Sequence, residues 1–133
     1  MFRLVKILGG RINQAEPVFL SATAGEAYQI GEALTLVGGA LTKCPATVAP
    51  AFICGMDCAA ATEEGRLLVV YPVAHDMIFE CPVTASPVSL AEGDQVTLSE
   101  DAMGVTATTA GGVATLWNLA GAEEADDKIY VKF

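Results

Sequence analysis

The chain has 133 residues, 53% of them hydrophobic and 17% charged, with a formal charge of −9. That length predicts one domain, 1–133, able to bury a core without disulfide or metal staples. The acidic balance and the lack of a clustered basic run argue against direct nucleic-acid binding.

Residues 1–43 carry four basic and three acidic side chains, whereas residues 44–133 carry three basic and thirteen acidic ones. The mildly basic front end suits electrostatic steering onto an acidic protein partner. Met1-Phe2-Arg3 leads directly into a strand pattern, with no secretory h-region, and no apolar run reaches bilayer-spanning length. Synthesis in the cytosol is therefore expected, with Cys44, Cys54, Cys58 and Cys81 as reduced thiols.

In chain order, strands are predicted over 2–8, 32–37, 40–44, 51–57, 66–73, 77–81, 95–100, 104–109, 113–119 and 128–133. Gly9-Gly10 opens a loop running to Glu16, and Gly38-Gly39 predicts a hairpin turn between the second and third strands. A helical turn or two is expected around "CAAATEEG", residues 58–65, where alanines precede a closing glycine. Short strands punctuated by Gly, Pro and Asp predict an all-β fold, a small compact barrel or sandwich with at most that one short helix. "GEALTLVGGALTKC" (31–44) and "GDQVTLSEDAMGVTAT" (93–108) echo each other, each reading as a tight turn that feeds a hairpin.

The reactive side chains are few. His75 in "YPVAHDMIFECPV" is the only histidine, beside Asp76 and six residues before Cys81. On a straight strand His75 and Cys81 would lie about 20 Å apart, beyond the reach a nucleophile and its base require. His75-Asp76 therefore reads as a polar corner between two buried strands. Cys54 and Cys58 have a spacing close to that of zinc-binding pairs, but strand geometry continued through Cys58 would separate them by about 13 Å. Both, with Cys44 and Cys81, read as packing thiols. No catalytic, cofactor-binding or metal-binding residue is assigned, and no cofactor is expected. Glu63-Glu64 and Asp126-Asp127 read as exposed turns, the glycine pairs 9–10, 38–39 and 111–112 as turns and not phosphate cradles, and Trp117 as core or subunit-seam contact.

"TAGEAYQIGEALTLVGGALTKC", "YPVAHDMIFECP", "GDQVTLSEDAMGVTATTAGGVATLWNL" and "DKIYVKF" together resemble the small head decoration, or capsid-cementing, structural proteins of tailed phages and prophages. The likeness is one of layout and spans roughly residues 20 to 133. It implies a non-enzymatic, β-rich virion protein bound in many copies to the capsid exterior. The implied partners are the major capsid protein and further copies of itself, often as a trimer. Residues 1–16 then become a possible docking arm or edge strand, adding to an exposed capsid strand. The alternatives are another virion component, for head completion or the tail, and a cytosolic β-barrel ligand-binding module.

Overall fold

A computed structural model describes residues 1–9, 16–60 and 65–133. Its ten strands are β1 (Arg3–Ile7), β2 (Val18–Ser21), β3 (Ala33–Val37), β4 (Ala40–Lys43), β5 (Phe52–Cys54), β6 (Leu67–Pro72), β7 (Met77–Pro82), β8 (Gln95–Val96), β9 (Ala114–Asn118) and β10 (Lys128–Lys132). They form two five-stranded antiparallel sheets. Sheet A has the order β1-β7-β10-β9-β8 and sheet B the order β2-β6-β5-β3-β4. The fold is an all-β sandwich, not a closed barrel, with no helix among the described residues. The helix expected over 58–65 falls largely outside them: only Cys58, Ala59, Ala60 and Gly65 are described, none helical.

Strand alternation divides the interior into two cores. On sheet B, Ala33 and Ile53 face sheet A and join a first core with Phe2, Phe79, Cys81, Leu116, Ile129 and Val131. Their sequence neighbours Leu34 and Cys54 face the other way, into a second core with Tyr28, Leu41, Leu68 and Val70. Sheet B curls around this second core, and an isolated parallel bridge between Ala22 and Leu41 brings its two outer strands together. Tyr28 ties the seam, its hydroxyl donating to the Leu41 carbonyl at 2.8 Å.

The β3–β4 hairpin follows from Gly38-Gly39. Val37 pairs with Ala40, leaving a two-residue turn, and the glycines take φ of +60° and +87°. Positive φ at both central residues is what a turn matching the strands' right-handed twist demands.

The internal echo at 31–44 and 93–108 has a structural counterpart in its first half. Gly31 and Gly93 both have positive φ. The acid after each folds back onto the N–H three residues earlier, Glu32 onto Gln29 and Asp94 onto Ala91, both at 2.9 Å. Gly31 N–H donates to the Cys54 carbonyl while Cys54 N–H donates to that of Glu32; Gly93, Leu116 and Asp94 repeat this pair of bonds.

The second halves part company. Only Gln95–Val96 forms a strand where 95–100 was expected, and 104–109 forms none, Val105 making only isolated bridges to Val83 and Leu98. Main-chain bonds between the two segments remain, from Thr106 N–H to Thr97 and from Ser99 N–H to Gly104, but local polar bonds take over at the turn and cut the ladder short. Ser99 Oγ donates to Asp101 Oδ1 and accepts from Gly104 N–H, and Asp101 also accepts from Met103 N–H. Asp101 is mostly exposed, and although burial opposes its charge, the Ser99 and Met103 donors outweigh it and hold its carboxyl below the usual range. A depressed carboxyl stabilises the fold above its ordinary value of 3.8 and loses that contribution as pH falls through the lower, folded value. Asp101→Asn is therefore expected to flatten the fall of the urea midpoint below about pH 4; an unchanged acid limb would contradict this.

Candidate interaction surface and the placement of the reactive side chains

Sheet A's outer face begins with register. Arg3 pairs with Glu80 and Lys6 with Ile78 on β7, while Leu4 and Ile7 turn inward to the first core. Across β7, Lys128 pairs with Pro82 and Tyr130 with Glu80, while Ile129 and Val131 are core. Lys132 pairs with Thr115, and its Nζ stands 5.4 Å from the centre of the Trp117 ring. Arg3, Lys6, Lys128 and Lys132, four of the chain's seven cations, thus lie on one face. Its single carboxylate within the strands is Glu80, whose Oε1 receives Arg3 Nη2 at 2.9 Å and Lys128 Nζ at 3.5 Å. Desolvation opposes the Glu80 charge, but Arg3 and Lys128 prevail and hold its carboxyl below the usual range.

Two strands of this sheet, β9 and β1, carry a bulge. Tyr130 pairs with Asn118 and Val131 with Leu116, so Trp117 is the unpaired extra residue of β9. Val5 stands likewise between the paired Leu4 and Lys6 of β1. Such insertions re-aim side chains, and Trp117 is 44% exposed and Val5 40%. Trp117 is therefore not a core residue. A second apolar area lies on sheet B, where Phe19 pairs with Val69 and is 62% exposed, beside Leu67 at 57%.

His75 lies exposed in the turn between β6 and β7, the corner expected from the sequence. Cys81 sits within β7, paired with Ile129 and buried in the first core. The imidazole therefore faces solvent and the thiol the interior. Cys44 joins the first core, whereas Cys54 and Cys58 enter the second. The straight-strand spacing assumed for Cys54 and Cys58 does not hold, because β5 ends at Cys54 and Cys58 instead bridges Tyr28. Each of these two thiols donates to a nearby carbonyl, Cys54 to Met56 at 3.1 Å and Cys58 to Ala59 at 3.2 Å; Cys44 donates to Val48 at 3.1 Å. Burial pushes the Cys44 thiol up to about 11 and Cys81 up to about 12, and burial also raises Cys54. Among the described residues, no group of three His, Cys, Asp or Glu side chains is placed to hold a metal ion.

Because a thiol reacts as its thiolate, native protein at pH 8 is expected to titrate with an aromatic disulfide reagent at well under one thiol per chain, and at all four once unfolded in guanidinium. Rapid native modification of Cys54 or Cys58 would show that the second core opens.

Of the other singled-out positions, Glu63-Glu64 lies outside the described residues, as does Gly10. Asp127 organises the acidic turn before β10 by accepting the N–H groups of Glu123 and Glu124, which hold its carboxyl below the usual range. Between the sheets, near β1, lies a cleft of about 360 Å³ lined by apolar groups including Phe2, Ile30, Ile53, Tyr71 and Phe79, with Arg3 at its side. Sequence reasoning missed the basic face because its members come from both ends of the chain; only their outward positions in β1 and β10 signal it.

No protein-family model matches this chain, and no curated protein matches it closely enough to count as a relative.

Proposed function

We propose that the chain is a non-enzymatic structural protein of a phage or prophage virion, made in the host cytoplasm and bound to the capsid exterior as a head decoration. The sequence layout supports this reading. The structural observation that carries it is the contrast between sequestered chemistry and exposed contact area. The four thiols are buried, while Phe19 and Leu67 stand open on sheet B and Trp117 on the outer face of sheet A. Large exposed aromatic and aliphatic groups are what a protein contact uses.

A cementing protein works by bridging neighbouring shell subunits, so that parting them requires exposing buried interface. The sandwich serves as the rigid body. β1 lies at an edge of sheet A, so strand addition along it is the docking mode we assign to residues 1–16. Association with further copies, as a trimer, belongs to the same reading.

The test is co-sedimentation of the purified chain with DNA-filled and empty capsids of a prophage from the same host, followed by electron microscopy. Saturable binding with density on the capsid exterior is expected. Density at the portal or tail would replace decoration with a head-completion or tail role, and absence of particle binding would overturn the proposal. The inter-sheet cleft favours one second reading, a binding module for a small apolar ligand, since its volume falls within the range of ligand sites. Displacement of an environment-sensitive apolar dye from the cleft, lost in Ile53→Trp, would favour that reading.

A further inference from the structure

We propose that the outer face of sheet A is a docking surface for an acidic protein segment, gripped by Arg3, Lys6, Lys128 and Lys132 and seated against Trp117. The proposal adds a partner chemistry to the decoration reading, and rests on that reading only for placing the segment on a capsid.

The first support is charge distribution. Within its described strands the face holds four of the chain's seven cations against one carboxylate, Glu80, in a chain whose formal charge is −9. Folding has therefore concentrated positive charge that the sequence disperses between residues 3 and 132. The second is availability. The Arg3 and Lys128 side chains are 58% and 70% exposed although both reach Glu80. Glu80 gathers the two cations without neutralising the face, and an incoming carboxylate meets donors already held in position. The third is the bulge at Trp117, which leaves an indole 44% exposed beneath the Lys132 ammonium. A half-open tryptophan beside cations is the kind of anchor on which interface energy concentrates.

Geometry narrows the partner. Lys128 and Lys132 are four residues apart on one strand, about 13 Å, and Arg3 lies two strands from β10, about 10 Å away. Carboxylates on alternate residues of an extended segment repeat at about 7 Å, so two to four of them span these cations. A nucleic acid suits the face less well. The rest of the chain is strongly acidic, and the turn holding Glu123, Glu124 and Asp127 adjoins Lys128. A long phosphate backbone would run into that negative field, whereas a short acidic segment need not leave the face.

Trp117 is the only tryptophan, so its fluorescence reads this face directly. Titration with a short poly-glutamate peptide at low salt is expected to give a saturable change in emission, abolished in about 0.5 M NaCl because exposed charges are screened. The Lys128→Glu/Lys132→Glu double variant is expected to weaken apparent affinity at least ten-fold with an unchanged circular dichroism spectrum. The salt dependence of the unmodified chain keeps the test decisive if that variant fails to fold. No saturable change, an equal response to a neutral peptide, or an oligonucleotide of equal charge binding as tightly would each overturn the proposal. Capsid co-sedimentation run in parallel separates the two readings. A folded double variant that still binds capsids as the unmodified chain does would remove this face from the shell contact and leave decoration standing. Poly-glutamate binding without capsid binding would uphold the face and sink decoration.

Discussion

Replacing Phe2 with alanine is expected to lower the unfolding free energy by about 3–5 kcal/mol, read as a fall in the urea midpoint. Phe2 is 2% exposed, and its N–H donates to the Gly31 carbonyl at 2.8 Å. Its ring meets Phe79 edge-on at 6.5 Å and Phe133 at 5.5 Å, and these two lie 5.8 Å apart, so one truncation opens an aromatic cluster shared by both chain ends. Phe2→Leu, which keeps most of the volume, is expected to cost less than about 1.5 kcal/mol. If alanine and leucine proved equally mild, Phe2 would not be packed as described. The result also bears on docking: removing residues 1–10 would take away Phe2 and all of β1, so lost capsid binding in such a truncation would report lost structure. Substitutions at outward β1 positions such as Val5 probe the edge without that confusion.

Gly112→Ala is expected to be strongly damaging, costing about 3 kcal/mol or more. A Cβ at this position would lie 2.4 Å from both the carbonyl carbon and oxygen of Gln95 and 2.7 Å from the Val96 nitrogen. All three are main-chain atoms of β8, which cannot rotate aside as a flexible side chain would. Relief requires moving β8, whose Val96 carbonyl accepts the Val113 N–H and whose Val96 side chain lies in the first core. Gly121→Ala provides the comparison. No atom lies within 4 Å of its would-be Cβ, but its φ is +78°, so only the backbone penalty of about 1 kcal/mol is expected. Matching midpoints for the two variants would refute the close approach of residue 112 to β8.

The strands that were legible in the sequence are those in which local chemistry and burial agree. Residues 33–43 show apolar alternation interrupted by two glycines, and the hairpin forms there in the expected register. β2 went unread because "VFLS" follows Pro17 and runs Val-Phe-Leu without alternation, with Phe19 pointing to solvent and its neighbours inward. Residues 95–109 looked extended because Thr and Val favour strands. Ser99 and Asp101 instead supply side-chain partners to the backbone, and Ala102 adopts φ of +54°. His75 was readable as a corner, since a polar pair between two apolar runs has few other places to go. Cys58 was misplaced because nothing local announces that β5 stops at Cys54; the contact that draws Cys58 inward comes from Tyr28, thirty residues earlier. The basic face was unreadable for the same reason on a larger scale, since pairing of β1 and β10 with β7 creates it.

β1, β2 and β3 all pair with strands that follow the Gly38-Gly39 turn: β1 with β7, β2 with β6, and β3 with β4 and β5. A cut at that turn would leave every strand whole. The two pieces of a nicked chain should therefore stay together, held through both sheets.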